Sequence, residues 1–290
     1  MAAILEWIEA GRTVALDGGM GSQLIARGLK GGEHWNLERP EVVRAIHQDY
    51  RAAGAAVLLT NTFGANRLNL ARQGQQDRVA DFNRAGVALA RQAAGDAALV
   101  AGDIGPVGEF MEPYGDRQPE ELLDAFTEQA SALASAGVDF FLIETLTVLE
   151  EAGLAIRACR QVSRLPVAAA MSFDPAGGGY RTLMGKTPEQ CARALEDAGA
   201  DIVGTNCGTV SPAQMAEIAA RMRAATALPL LCEANAGAPR MEGGAVRYEQ
   251  TPGEWLAGAL ACRDAGAQLV GGCCGTTPAH IRLLAEAVAR

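Results

Sequence analysis

Three cysteines carry the clearest chemical signal in this sequence of 290 residues. Cys207 lies at the end of a predicted strand in GTNCG, and Cys273 and Cys274 lie at the end of another in GGCCG. Three thiolates that leave a fourth position open for a ligand are typical of a zinc site. Neighbouring residues of a regular strand point to opposite faces, so the adjacent pair can share one metal only where the backbone bends. The surrounding glycines permit such a bend.

The other cysteines have a simpler interpretation. Cys159, Cys191 and Cys262 fall on predicted helices and Cys232 falls within a predicted strand, so we expect buried apolar thiols at these positions. A strained disulfide is the alternative for the adjacent pair. The sequence contains no C-x-x-C motif, which is the usual signature of redox and zinc-ribbon sites.

The three histidines offer no obvious general base. None of His34, His47 and His280 follows a predicted strand end. We assign no role to His34 or His280, and we expect His47 on the surface or partly packed face of a helix. A Ser-His-Asp or Cys-His mechanism is therefore disfavoured. A free thiol titrates near pH ~8.5 whereas a metal-bound thiol is deprotonated outright, so zinc would replace the base.

Apolar runs that alternate with longer amphipathic segments must position these residues. We predict strands at 14–17, 57–61, 99–103, 140–145, 167–173, 202–207, 230–235 and 269–274. We predict helices at 41–53, 78–93, 119–136, 148–162, 188–198, 212–224, 252–265 and 278–289. Eight such units favour a single-domain (β/α)8 barrel, the TIM barrel, over residues 1–290 and disfavour a doubly wound open sheet.

Local signals support this number of units. A helix end, a glycine and an apolar strand recur in AAGAAVLLTN, SAGVDFFLIET, DAGADIVGTN and DAGAQLVGG. The glycine is the residue type that ends a helix in a left-handed conformation. Four predicted helices begin with a hydroxyl residue followed by proline, which is a typical N-terminal cap: Thr187, Ser211, Thr251 and Thr277.

A barrel of this type keeps its chemistry at the carboxyl ends of its strands. Besides the cysteines, those ends carry Asp17, Asn61, Asp103, Glu144, Asp174 and Asn235. Asp17 and Glu144 can accept hydrogen bonds from an amino group, and a salt bridge or a helix cap is the alternative for either. The irregular segments 111–118, 174–184 and 237–247 are predicted to be loops at this face. DGGMGSQL and GYRTLMGKT lack the glycine spacing of dinucleotide and phosphate loops, so we expect loops that approach a small ligand.

Composition limits the kind of partner and compartment. The net charge of −9 disfavours binding to nucleic acid, and no apolar run reaches the length of a membrane helix. The first ten residues contain Glu6 and Glu9 and do not resemble a secretory signal. Seven cysteines without such a signal favour free thiols in a reducing compartment. We therefore expect a cytoplasmic protein.

The sequence resembles the homocysteine S-methyltransferase family along nearly its whole length. The resemblance is carried by VALDGGMG, TNTFGANR, GDIGPVGE, IET, GTNCG, EANAG and GGCCGTTPAHI. It implies a (β/α)8 barrel in which Cys207, Cys273 and Cys274 bind Zn²⁺, and homocysteine binds to that ion as its thiolate. It also implies that Asp17, Gly18 and Glu144 hold the amino-acid end of homocysteine. Asn235 matches a residue close to the metal when substrate is absent.

The resemblance leaves the methyl donor open. TNTFGANR and GDIGPVGE are closer to the homocysteine-binding module of cobalamin-dependent methionine synthase than to the betaine or S-methylmethionine enzymes. We therefore expect methionine synthesis with a methyl-corrinoid or methylfolate partner in trans, the cobalamin being bound by that partner. Betaine or S-methylmethionine is the alternative donor. A hypothesis of another class is a non-catalytic zinc subunit that only binds the thiol. An aldolase or sugar-phosphate isomerase is disfavoured because Lys30 and Lys186, the only lysines, end no strand.

Overall fold

Eight parallel strands form one sheet in the computed structural model, which describes residues 2–242 and 245–289. The strands are β1 (Val14–Ala15), β2 (Val57–Leu59), β3 (Leu99–Ile104), β4 (Phe140–Leu146), β5 (Val167–Met171), β6 (Ile202–Asn206), β7 (Leu230–Ala234) and β8 (Ala267–Gly272). Their order in the sheet is β1-β8-β7-β6-β5-β4-β3-β2. A parallel bridge between Leu16 and Val57 joins the two edge strands, and the Ala56 N–H donates to the Ala15 carbonyl at 2.8 Å. The sheet thus closes, and the predicted (β/α)8 barrel is confirmed.

Long helices follow the strands around the barrel. They are α1 (Pro40–Ala52), α2 (Val79–Ala94), α3 (Pro119–Ala136), α4 (Leu149–Val162), α5 (Pro188–Asp197), α6 (Pro212–Arg223), α7 (Pro252–Asp264) and α8 (Pro278–Val288). The hydroxyls of Thr187, Ser211 and Thr251 accept from backbone N–H groups in the first turns of α5, α6 and α7, as predicted. No helix in the described part of the chain is long and apolar enough to cross a membrane.

Several short elements were not predicted. The short helices are Ala3–Glu9, Met20–Ala26, Trp35–Glu38 and Arg67–Ala71, with a 3₁₀ turn at Gln76–Arg78. Two of the predicted loops contain antiparallel hairpins, Asp174–Ala176 with Gly179–Arg181 and Arg240–Glu242 with Ala245–Arg247. The predicted strands and long helices are present with ends shifted by at most a few residues. β6 and β8 end before the cysteines because the backbone bends there.

Side chains alternate between two apolar layers along each strand. The inner layer fills the barrel, and the helix Ala3–Glu9 closes its amino-terminal end with Ile4 and Ile8. The inner strand residues are Val14, Leu16, Val57, Ala101, Phe140, Leu142, Ala168, Ala170, Ile202, Leu231 and Leu269. The residues between them face the helices. The residue two positions further along a strand also points inward. Asp103, Glu144 and Glu233 follow inner residues in this way and therefore lie inside the carboxyl end of the barrel.

Candidate metal and substrate site

A cavity of about 270 Å³ lies at the carboxyl ends of the strands. Sulfur and carboxylate groups dominate its polar lining: Asp17, Glu33, Asp103, Glu144, Cys207, Glu233, Cys273 and Cys274. Among the described residues, no lysine, arginine or histidine lines it. The cavity therefore favours groups that bind to sulfur or carry positive charge.

The three predicted metal ligands converge on this cavity. The sulfur atoms of Cys207, Cys273 and Cys274 all lie within 4.8 Å of one another. Zn–S bonds of about 2.3 Å in a tetrahedral site place the sulfurs roughly 3.8 Å apart. The observed spacing is therefore compatible with binding of one metal ion by all three.

Backbone bends bring the sulfurs together. Cys207 has a left-handed backbone with a φ of 52°, which is uncommon for a residue other than glycine. Beyond β8, the Cys273 N–H donates to the Ala234 carbonyl at 2.9 Å, and the Cys274 N–H donates to Asn235 Oδ1 at 3.0 Å. Successive N–H groups thus bond to the same neighbouring segment, and this is the bend that the sequence requires for the adjacent pair.

Asn235 connects the two loops that carry the cysteines. Its Oδ1 accepts from Cys274, and its Nδ2 donates to the carbonyl of Gly208 at 2.9 Å. Both ends of the amide therefore bond to protein backbone, and Asn235 is absent from the described lining of the cavity. The structure shows Asn235 bonded to the backbone of both cysteine loops, and its role at the metal or substrate stays a prediction.

Hydrogen bonds among the thiols separate their pKa values. The Cys274 sulfur accepts hydrogen bonds from Cys207, from Cys273 and from the Tyr248 hydroxyl, and these hold the pKa of Cys274 well below its ordinary value. Hydrogen bonding to Cys207 and Cys274 raises the pKa of Cys273. A thiol that ionises readily is typical of a metal site, because the thiolate is the form that binds metal.

Two predicted substrate residues contribute carboxylates to the cavity. Asp17 Oδ2 accepts from the Leu59 N–H at 3.0 Å, and burial is the main cause of the raised pKa of Asp17. Burial, followed by repulsion from Cys274, raises the pKa of Glu144 to about 7. Buried carboxylates of this kind gain stability from a cationic partner.

Asn206 joins the carboxylate side of the cavity to the cysteine side. Its Nδ2 donates to the Glu144 carboxylate and to Thr145 Oγ1, the latter at 2.8 Å. Its Oδ1 accepts from the Thr145 N–H at 2.8 Å, which helps to hold Thr145 in a left-handed conformation with a φ of 61°. Asn206 directly precedes Cys207, so one residue positions both Glu144 and the start of a cysteine loop.

Gly18 lies where the loop after β1 passes the loop after β8. A Cβ at this position would come within 2.6 Å of Thr276 Oγ1 and 2.9 Å of Tyr50 Oη. The same Thr276 hydroxyl accepts from the Gly19 N–H at 3.0 Å and donates to the Cys273 carbonyl at 2.7 Å. The predicted substrate loop is therefore packed against a cysteine loop with no space for a side chain.

Comparison with known proteins assigns the chain to a family. The family model described as homocysteine S-methyltransferase matches residues 14–288. The chain belongs to the homocysteine S-methyltransferase family. This agrees with the resemblance of the sequence motifs.

Relatives of this family member include large and small proteins. Methionine synthase of Mycobacterium tuberculosis is 37% identical over 300 residues, which cover 96% of this chain and 25% of that protein. This chain thus spans a quarter of the length of that relative. Betaine–homocysteine S-methyltransferase 1 of Danio rerio is 31% identical over 307 residues, covering 98% of this chain and 74% of that protein. The metallated homocysteine methyltransferase MmuM of Escherichia coli superposes with a TM-score of 0.79 at 25% identity, covering 97% of this chain and 98% of that one.

Sequence analysis missed Glu33, Glu233, Asn206 and Tyr248 at this family member's site. Glu233 lines the cavity, and its only signal was an acidic residue in an otherwise apolar strand. Asn206 was passed over because it precedes the more conspicuous Cys207. Tyr248 follows the second hairpin, and nothing in the sequence indicates that it reaches Cys274. Strand-end residue Asp174 instead accepts hydrogen bonds from Thr209 and does not line the described cavity.

Two of the histidines, His47 and His280, are surrounded by other parts of the protein. His47 is fully buried, which corrects the expectation of a surface or partly packed residue. Neither of its ring nitrogens has a partner in the described part of the chain, and burial lowers its pKa to about 4. His280 Nδ1 accepts from the Thr277 N–H at 3.2 Å, and its Nε2 lies 3.2 Å from the Gln250 carbonyl. His280 therefore caps α8 and ties it to the segment after the second hairpin.

Proposed function

We propose that this protein transfers a methyl group to the sulfur of homocysteine, giving methionine, with zinc bound by Cys207, Cys273 and Cys274. The observation that carries the proposal is the convergence of three sulfurs in a cavity whose other charged groups are carboxylates. The sulfurs are suited to a metal that binds a thiolate, and the carboxylates to an ammonium group. Homocysteine carries a thiol and an ammonium group at opposite ends.

The donor set of the cavity fits zinc. Thiolates are preferred zinc ligands, and three protein ligands leave one tetrahedral position for a substrate. Bound zinc would keep a substrate thiol deprotonated at neutral pH. Three cysteine thiolates and one zinc ion would also give the site a net charge of about −1. This negative charge would help the sulfur of the bound substrate to remain nucleophilic.

The chain's own residues would orient the substrate. Asp17 and Glu144 would accept hydrogen bonds from its ammonium group, and Gly18 would let the loop backbone approach it closely. Asn206 fixes the Glu144 carboxylate, and Asn235 fixes the loops that carry the cysteines. Orientation of this kind contributes to catalysis because the sulfur must face the methyl donor along one line.

We infer that the donor is a methyl-corrinoid or methylfolate protein, so that any cobalamin is bound by a partner. The substrate thiolate would form the S–CH₃ bond while the bond between the methyl group and its carrier breaks, the carrier keeping that electron pair. This inference is supported by the 37% identity to the M. tuberculosis methionine synthase over 96% of the chain.

A small onium compound such as betaine or S-methylmethionine is the second candidate donor. The 31% identity to the betaine enzyme of Danio rerio favours it, as does a cavity without basic residues in its described lining. Recognition of quaternary ammonium groups usually uses several aromatic faces. Among the described residues that line the cavity, Phe63 alone is aromatic, which favours the first candidate.

Metal analysis and a panel of donors test the proposal. Elemental analysis should find about one zinc per chain, which Cys207→Ala should lose. Zinc-loaded protein is then incubated with homocysteine and one donor at a time, and methionine is measured. Turnover with betaine or S-methylmethionine alone would select the second candidate, whereas turnover only with a methyl-corrinoid or methylfolate protein would support the first. Homocysteine binding without turnover under any of these conditions would indicate a non-catalytic subunit.

A further inference from the structure

The exposed apolar side chains of the described residues are confined to one end of the barrel. Seven large apolar side chains are exposed: Ile25, Leu37, Phe110, Tyr114, Leu183, Met241 and Val246. All seven lie on connections that leave the carboxyl ends of strands, and in the described part of the chain no long helix exposes one. Exposed apolar surface that is concentrated in one region is typical of a site that binds another molecule.

The connections that carry these side chains alternate around the barrel. They follow β1, β3, β5 and β7 and comprise residues 16–39, 105–118, 172–187 and 235–251. The connections after β4, β6 and β8 are much shorter, at 147–148, 207–211 and 273–277. The four long connections therefore surround the carboxyl end of the barrel, where the cavity lies, and we call them the rim.

The second and third segments of the rim share a groove. The groove has a volume of about 280 Å³, and its apolar lining includes Phe110, Met111, Tyr114 and Met184. The N–H groups of Tyr114 and Gly115 both donate to the carbonyl of Met111 at 3.0 Å, so the loop is held by its own hydrogen bonds. Aromatic side chains presented by such a preorganised loop lose little conformational freedom when a partner binds.

The charges of the rim nearly cancel. Its four segments contain eight basic and nine acidic residues, whereas the whole chain has a net charge of −9. Almost all of the negative charge therefore lies elsewhere on the molecule. A partner surface that is apolar and close to neutral complements the rim, and an acidic protein would be repelled least at this end.

The spread of the apolar side chains determines the size of the occupant. Ile25 follows β1 and Leu183 follows β5, and these strands lie on opposite sides of the closed ring of eight. A small onium compound cannot contact both sides at once, whereas a protein surface can, since a standard interface covers about 800 Å² of each partner. A second copy of this chain would bring two cavity mouths together and leave no path for a donor to either.

We propose that the rim is the docking surface for the protein that carries the methyl donor, with Ile25, Tyr114 and Leu183 in contact with that protein. This inference rests on the proposed function, because the rim is needed only if the donor arrives on a protein. The three side chains recognise the donor protein. Neither zinc binding nor homocysteine binding requires them.

Supplying one donor group in two forms tests this assignment. Methylcobalamin is given either free or bound to M. tuberculosis methionine synthase that lacks the segment matching this chain, with loading confirmed by its absorption spectrum. Methionine formation by zinc-loaded protein is then measured. Ile25→Ser, Tyr114→Ser and Leu183→Ser should each lower kcat/KM for the protein-bound donor about tenfold. The rate with free methylcobalamin should stay within about twofold of wild type.

Two controls accompany this comparison. Arg282→Ser removes a large exposed side chain from α8, outside the rim, and should leave both rates unchanged. Because the rim is close to neutral, KM for the protein-bound donor should change less than about threefold between about 50 mM and about 500 mM salt. Thermal unfolding checks that each variant is folded.

The outcomes separate failure of the rim from failure of the proposed function. Unchanged kcat/KM for the protein-bound donor in all three variants, or equal losses with both donors, would overturn the docking surface. A wild-type dimer in sedimentation that Tyr114→Ser abolishes would assign the rim to a second copy and also overturn it. Absence of methionine with both donors would overturn the proposed function. Calorimetric titration of the donor protein onto wild type and variants tests the rim without turnover.

Discussion

The two ends of the barrel interior have opposite compositions. At the amino-terminal end, Ile4 and Ile8 pack against apolar strand residues such as Phe140 and Ile202. At the carboxyl end, the interior holds sulfur and carboxylate groups, and the backbone of Cys207 is left-handed. Burial of apolar area stabilises the fold, whereas buried charge and unusual backbone conformations lower stability and are typically retained at functional sites. The amino-terminal end of the barrel therefore stabilises the fold, and the carboxyl end holds the reactive groups.

The largest effect that this contrast predicts is loss of metal from the carboxyl end. Cys273→Ala should abolish zinc binding and weaken homocysteine binding by more than about 100-fold, because the sulfur can no longer bind to the metal. Elemental analysis and calorimetry measure the two effects. Cys191→Ala, which removes a buried helix thiol remote from the cavity, is the control and should keep the metal. Full zinc occupancy in Cys273→Ala would contradict the assignment.

The opposite result is expected at the amino-terminal end. Phe140→Ala leaves a cavity in the inner layer and should lower the free energy of unfolding by about 3–5 kcal/mol. Zinc content and homocysteine affinity of the folded protein should stay unchanged. Urea denaturation measures the first quantity and elemental analysis the second. A variant that folds normally but loses zinc would show that the two ends are not separable in this way.

His47 allows pH effects of the outer layer to be separated from those of the cavity. Its pKa is about 4 in the folded protein and about 6.5 when unfolded, so the unfolded state binds the proton first as the pH falls. Above about pH 6.5 the neutral His47 ring makes its full contribution to the free energy of unfolding. That free energy declines by roughly 3 kcal/mol as the pH falls toward 4. The difference in unfolding free energy between wild type and His47→Leu should follow this course. Parallel pH curves for the two proteins would contradict it.

Asn235 tests whether the cysteine loops need an external support. Asn235→Ala removes hydrogen bonds to Cys274 and Gly208 and should reduce zinc affinity by about 10–100-fold. Competition with a chelator measures that affinity. Asn235→Asp keeps the acceptor for the Cys274 N–H and should lose less. Equal losses in both variants would assign the effect to something other than that hydrogen bond.

The smallest effect concerns the hydroxyl of Tyr248. Tyr248→Phe removes the hydrogen bond to the Cys274 sulfur and should lower zinc affinity by about threefold to tenfold. The same competition assay detects this change. Tyr114→Phe alters a tyrosine that is 72% exposed and should have no effect. A loss as large as that of Asn235→Ala would make Tyr248 part of the principal support of the site.

The fold could be predicted from the sequence because the parallel strands of the barrel are apolar throughout and each apolar run ends at a polar residue or a cysteine. Cys207 and the adjacent cysteine pair were identified because they follow two such strands. Asp17 and Glu144 were identified in the same way, since polar residues after apolar runs stand out.

The missed features depend on tertiary structure. Glu233 lies inside a strand, so its inward direction follows from register and from the closure of the barrel. Tyr248 reaches Cys274 through the placement of a hairpin. The left-handed backbones of Thr145 and Cys207 have no signal in residue type, because neither is glycine. His47 was placed wrongly because histidine was taken as a polar residue, although its position belongs to the buried stripe of Val43, Ile46 and Tyr50.

The side chain of Asn206 has a thermodynamic consequence. It bonds to the Glu144 carboxylate and precedes Cys207, so a shift of Cys207 on metal binding would move a hydrogen-bond partner of the acid that is proposed to face the amine. Linkage requires that such an effect be reciprocal. Zinc should increase the affinity for an amine ligand without a thiol by the same factor by which that ligand increases the affinity for zinc. The two halves of the cavity would then respond as one cooperative unit.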